Sequence, residues 1–233
     1  MKWLLVLSSV LVALSSAEKD NACYSKTVNE CKFQDNNENL NDCNALFSGF
    51  LKNVVELQKY ANHQVEKSFE YLLLAANFGT YVKNRPGFEK QFRALSDKSW
   101  ENGIKLIKHI TKRGGVHDFA ANSTYKTEKK PLLGFNEMQS LALALDYEKT
   151  LAKEAHHIHQ KNAHAQHTDY DPEVAHFIEE EFLEYQAGTV RKLSGYTNDL
   201  KKLLKEYSSE YSKKETGDST LALYLFDEYL AKQ

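Results

Sequence analysis

The chain has 233 residues, 42% of them hydrophobic and 12% aromatic, with only three prolines and ten glycines. That is enough apolar material for one well-buried domain with a short appendage, and too few turn residues for an architecture of many short strands. The formal net charge of −2, with no basic block anywhere along the chain, excludes a polyanion such as nucleic acid as the partner.

The chain opens MKWLLVLSSVLVALSSA, a lysine followed by an apolar run and small residues ending at Ala17. This is the layout of a cleavable secretory signal, expected over residues 1–17. The run is shorter than the roughly 20 residues a membrane span needs, and no second apolar segment follows, so no membrane partner is expected. Cys23, Cys31 and Cys43 are the only cysteines, and all fall in a polar extension over residues 18–46. In an oxidising lumen two of three thiols can close a loop and leave the third to pair with another chain. The polar surroundings argue against a buried free thiol. Asn122-Ser123-Thr124 is a glycosylation acceptor in a polar stretch that reads as a surface loop.

The remaining residues, 47–233, read as four long helices and a short fifth. In the first, Phe47, Phe50, Leu51, Val54, Leu57, Ala61, Val65, Phe69, Leu72, Leu73 and Ala76 keep a three-four spacing that predicts an apolar stripe ending near Gly79. After the short link Asn84-Arg85-Pro86-Gly87, a second stripe through Phe92, Leu95, Leu106 and Ile110 stops at Gly114-Gly115, a helix C-terminal signal. A long irregular segment from Val116 to about Leu133 precedes a third stripe through Met138, Leu141, Leu145, Ala152 and Ala155. Asp171-Pro172-Glu173 is a capped start with proline in the first turn, and the fourth pattern runs from there to about Tyr207. A polar break at Lys213 to Asp218 leads into the apolar STLALYLFDEYLAKQ. Two helices, a long crossover, two helices and a short last helix describe an all-α four-helix bundle with one long crossover. A secreted bundle of the cytokine kind has two such crossovers.

Each stripe carries a polar residue near its middle: Ser68 in the first, Ser99 and Asn102 in the second, Glu148 in the third and Gln186 in the fourth, within HFIEEEFLEYQ. These would lie at similar heights in a bundle. A buried glutamine in line with Ile178, Phe182 and Leu193 suggests either a metal site in the core or the remnant of one. Di-iron bundles need inward carboxylates and a Glu-x-x-His pair, because an i, i+3 spacing puts both ligands on one helix face and iron takes hard oxygen with imidazole. Ser99 and Asn102 have that spacing without that chemistry. Two metal ions would share the single carboxylate of Glu148, too little charge to offset their lost hydration.

Four motifs carry a resemblance: KRGG (Lys112 to Gly115), LALALDYEKTL (Leu141 to Leu151), HFIEEEFLEYQ (His176 to Gln186) and LALYLFDEYL (Leu221 to Leu230). From about Phe47 to Gln233 the chain resembles the ferritins, and the secreted insect light-chain type in particular. The resemblance implies a ferritin-like fold and a cage of twenty-four subunits that takes in Fe(II) and stores an Fe(III) oxyhydroxide mineral, with no organic cofactor. It also implies heavy-type partner chains that carry the oxidation centre, with an inter-subunit disulfide and residence in the secretory pathway and extracellular fluid. Carried onto this sequence, that centre falls on Ser68, Ala75, Ser99, Asn102, Glu148 and Gln186, of which Glu148 and Gln186 alone match the family. Glu179 and His176 match its threefold iron-entry channel, with histidine where an acid is common. The expected function is therefore a non-catalytic subunit supporting assembly and mineral growth.

Asp97, Glu101 and Glu137 are candidates for an anionic inner wall that concentrates Fe(III), since hard cations prefer carboxylate oxygen. Solvation is the ordinary fate of such acids. His156, His157, His159, His164 and His167 straddle a helix end and a polar loop, and read as an exposed surface that binds transition metals weakly. Two other readings stay open at this point: a ferroxidase with an altered site, and a secreted helical binding protein unrelated to iron.

Overall fold

The computed structural model describes residues 44–119, 134–210 and 218–233. The expected signal segment, Cys23, Cys31, Cys43 and the sequon at Asn122 lie outside them. The architecture below belongs to the unit Phe47–Gln233. Among the described residues every element is helical: α1 (Phe50–Phe78), α2 (Pro86–Lys112), α3 (Glu137–Ala163), α4 (Pro172–Ile178), a π turn (Glu179–Leu183), α5 (Glu184–Glu210) and α6 (Asp218–Ala231). No helix among these residues is long and apolar enough to cross a membrane.

Local chemistry fixes the helix ends. Pro86 starts α2, where a missing N–H costs nothing. α2 ends in Arg113 and Gly114, whose φ of 83° is the left-handed conformation that glycine adopts freely, while the Gly115 N–H closes onto the Ile110 carbonyl at 2.9 Å. Asn136 and Gln139 form a reciprocal capping box at the start of α3, with the Gln139 N–H donating to Asn136 Oδ1 at 2.8 Å. Asp171 caps α4 by accepting from the N–H groups of Glu173 and Val174. α4, the π turn and α5 run on without interruption as the expected fourth helix, with five residues in the wider π winding.

α1 packs along α2 and also against α3; α3 packs against α4, the π turn and α5. The crossover leaves α2 where the Val116 carbonyl accepts from Gln58 of α1, and re-enters where the Phe135 carbonyl accepts from Asn77 of the same helix. Nineteen residues of α1 separate those two anchors, about 28 Å at 1.5 Å per residue, so this one connection spans the bundle lengthwise. At the α1–α2 turn Phe78, Phe88 and Phe92 form a buried aromatic cluster, which Phe226 of α6 completes with a ring centroid 5.8 Å from that of Phe88. α6 is held there by the Asp227 carboxylate, which accepts from the Phe88 N–H at 2.9 Å across the open start of α2.

The apolar stripe expected on α1 differs from the buried face. Phe47, Leu51, Phe69 and Leu73 are 57%, 62%, 55% and 46% exposed, while the core face runs through Phe50, Leu57, Tyr60, Ala61, Gln64, Ser68, Tyr71, Leu74, Ala75 and Phe78. Phe50, Leu57 and Ala61 of the expected stripe lie in the core, while Phe47, Leu51, Phe69 and Leu73 are out of phase with it by about one residue, or about 100° of helix. α1 is apolar on both sides, and its inward side carries the tyrosines and amides. On α2, the predicted Phe92, Leu95, Leu106 and Ile110 are all buried.

A buried polar layer between the helices

Midway along the bundle the core changes character. The Tyr60 hydroxyl of α1 accepts from the side-chain amide of Gln64 at 3.0 Å, one turn along the same helix, and from that of Gln186 on α5 at 2.8 Å. On the other side of the layer Tyr71 of α1 donates to Glu148 Oε1 of α3 at 2.8 Å. Ser99 and Asn102 approach from α2 at the same height. The Ser96 hydroxyl donates to the Ser68 carbonyl at 2.8 Å, and a Cβ on Gly103 would lie 2.8 Å from Val65, so the stretch between them faces α1 near Gln64 to Ser68. Gln64 Oε1, Asn102 Oδ1 and Gln186 Oε1 are buried without a protein partner.

Burial sets the electrostatics of this layer. Glu148 is held above the usual carboxylate range by desolvation, and the Tyr71 hydrogen bond offsets this only in part. Tyr60 and Tyr71 are pushed well above the usual phenol range, each chiefly by burial. The layer therefore contains neutral phenols, neutral amides and one carboxyl biased toward its protonated form. Among the described residues no group of three or more His, Cys, Asp or Glu side chains could hold a metal ion.

Of the six positions carried over from the resemblance, Ser99, Asn102, Glu148 and Gln186 are buried at this level. Ser68 lies on the α1–α2 seam with its hydroxyl donating to the Val65 carbonyl at 2.6 Å, and Ala75 sits in the apolar core beside Tyr71 and Phe78. The α1 side chains that reach the layer are Tyr60, Gln64 and Tyr71, the last two each four residues earlier than Ser68 and Ala75. Sequence reasoning missed Tyr60, Gln64 and Tyr71. The usable signal was their spacing, since Tyr60, Gln64, Ser68, Tyr71 and Ala75 recur every three to four residues on one face.

The other candidates are spread over the surface. Asp97 pairs with Arg93 at 3.2 Å with both exposed, Glu137 pairs with Arg85 at 3.2 Å, and Glu101 is exposed. Glu179 pairs with His159 at 3.4 Å, and His176 with Glu180 at 3.3 Å. His156, His157, His164 and His167 are exposed. The KRGG motif proves to be more than a helix stop. Its Arg113 is buried, donates to both oxygens of the fully buried Asp171 (2.8 and 3.4 Å) and to the Phe47 carbonyl (3.1 Å), and also pairs with Glu173. Beside it, His109 stacks flat on Phe177 at 3.8 Å and meets Glu173 at 3.0 Å. This cluster fastens the end of α2 to the starts of α1 and α4.

The family model for the ferritin-like domain matches residues 54–203, a span that contains the whole polar layer. The chain belongs to the ferritin family. The ferritin light chain of Drosophila melanogaster is 45% identical over 232 residues, covering 98% of this chain and 97% of the relative. That of Trichoplusia ni is 42% identical over 236 residues, covering 100% and 99%. The crystal structure of Trichoplusia ni secreted ferritin matches this fold with a TM-score of 0.78 at 42% identity, over 91% of this chain and 98% of that one. The Drosophila melanogaster ferritin heavy chain is 25% identical over 152 residues, or 64% of this chain and 71% of the relative. Likeness to these ferritin light chains thus extends over nearly the whole sequence, whereas likeness to this heavy chain covers under two thirds of it.

Proposed function

We propose that this ferritin is a secreted, light-type subunit of an iron-storage cage, and that it supports assembly and mineral growth without oxidising iron. The observation that carries this is the hydroxyl of Tyr60, held in the middle of the bundle by the amides of Gln64 and Gln186. Oxidation of Fe(II) at a paired site needs anionic oxygen and imidazole to offset the lost hydration of two cations. Here amides and a phenol occupy the layer, and burial disfavours the charged form of Glu148.

Heavy-type chains would supply the oxidation step in a mixed cage, which fits the light-chain names of the two relatives matched end to end. Release into the secretory pathway and extracellular fluid is supported by the N-terminal signal pattern and by the likeness to the secreted ferritin of Trichoplusia ni. One of Cys23, Cys31 and Cys43 would join a partner subunit, and Asn122 would carry a glycan. Of the three acids considered for mineral contact, Glu101 suits it best. It is exposed, whereas Asp97 and Glu137 are tied to arginines.

The test is the initial rate of Fe(II) oxidation by assembled protein containing only this chain, against buffer and against a mixed assembly with a heavy-type chain. A rate equal to buffer, restored by the partner, is the expected result. Fast oxidation by this chain alone would overturn the reading and assign Glu148 and Gln186 to a working centre.

A further inference from the structure

A cleft of about 400 Å³ opens between α1 and α3 and shares Tyr60 with the polar layer, a volume within the range of small-molecule sites. Its floor is the ring of Tyr60 and the side chain of Ile158, and its charged side chains come from both helices. Each acid has a partner of its own. One oxygen of Glu56 is paired with Lys161 while the other is buried without a hydrogen-bond partner, and Glu154 grips the His63 ring nitrogen with both oxygens at 2.9 Å. That hydrogen bond holds His63 above the usual imidazole range. The two lysines differ from these acids. Lys59 on the α1 wall and Lys153 on the α3 wall are exposed, and neither has a hydrogen-bond or ion-pair partner among the described residues.

An apolar floor flanked by two uncompensated cations, with each acid paired to a side chain of the cleft's own helices, is complementary to one kind of small molecule. We propose that this cleft binds a small amphipathic anion, its apolar body on Tyr60 and Ile158 and its acidic group between Lys59 and Lys153. A compact aromatic or aliphatic carboxylate fits that description. A cation would meet two lysines, and an uncharged ligand would leave them unused.

The test is equilibrium dialysis of assembled protein with 2-naphthoate and with its uncharged counterpart 2-naphthylmethanol. The wild type should hold close to one naphthoate per chain. In K59A/K153A the naphthoate affinity should fall at least tenfold while that of the alcohol is unchanged. T150W, which places a bulky ring in the cleft, should weaken both ligands, with particle size and helical content checked for each variant. Absence of saturable naphthoate binding by the wild type would overturn the proposal. So would a K59A/K153A curve that superimposes on the wild type, an equal loss for acid and alcohol, or a T150W variant that binds normally.

Discussion

Replacing Gly87 with alanine sets helix propensity against packing, and the structure says which wins. Gly87 lies in the first turn of α2, where alanine would ordinarily gain about 1 kcal/mol. Its added Cβ, however, would sit 2.0 Å from the Asp227 carbonyl oxygen and 2.9 Å from the Ala231 nitrogen. Both are backbone atoms of α6, so no rotamer change relieves the clash, and α6 has to move off by more than an ångström. That movement breaks the hydrogen bond from the Phe88 N–H to the Asp227 carboxylate, a charge-assisted bond contributing about 1.5–3 kcal/mol. It also uncovers part of Phe226 and Leu230, each fully buried side chain contributing about 1.5–3 kcal/mol. After subtracting the propensity gain, Gly87→Ala should weaken α6 docking by about 3 kcal/mol, roughly a hundredfold in its opening equilibrium. Hydrogen exchange of the assembled protein reads this directly, as faster exchange over 221–231 with α1 and α3 protection intact. Unchanged or slower exchange in α6 would refute the reasoning and show that the α2–α6 contact yields without cost.

Three further outcomes are expected. Arg113→Ala leaves Asp171 buried and unpaired, and should cost about 3–5 kcal/mol in denaturant unfolding; a loss under 1 kcal/mol would show that the cluster is not what fastens α2 to α4. Glu148→Gln keeps an acceptor for Tyr71 while removing a carboxyl that burial holds above its ordinary range. A group that binds its proton more tightly when folded favours folding more as pH falls toward its unfolded value. The variant should therefore be the more stable at pH 7, with the gap closing toward pH 4.5, in midpoints measured across that range. His63→Gln has its own window. The His63–Glu154 pair holds the imidazole above its ordinary value, so its contribution is present below about pH 6.5 and lost as pH rises through the folded value. Because both side chains are near one-third exposed, the loss should stay under about 1 kcal/mol, and an equal loss at pH 9 would contradict this account.

Much of the architecture was legible because it rests on local rules. The Asp171-Pro172 start, the Gly114-Gly115 stop and the apolar stripe of α2 each act within a turn or two, and the single crossover follows from their spacing. α1 was harder to read because both its faces are apolar. Phe47, Leu51, Phe69 and Leu73 lie outside the monomer, and hydropathy prefers them to the buried tyrosines and amides. The same ambiguity displaced the α1 contribution to the layer by one helical turn, from Gln64 and Tyr71 to Ser68 and Ala75. Glu148 and Gln186 stood out because each interrupts an otherwise apolar stripe. The Arg113–Asp171 pair is separated by 58 residues, and nothing local announces it.

The π turn at Glu179–Leu183 sets the phase of everything that follows it. Ile178 and Gln186 are both buried, yet eight residues of regular helix would leave them about 80° apart around the axis. One extra residue taken up in the wider winding makes those eight count as seven, and brings the pair to within about 20°. Deleting a single residue there would let the winding revert to regular α-helix with Gln186 still toward Tyr60, whereas losing the π winding at unchanged length would turn Gln186 away and carry Leu193, Tyr196 and Leu200 around with it. A change of winding at these five residues, with no change of length, would act on this helix as a rotation of its entire second half.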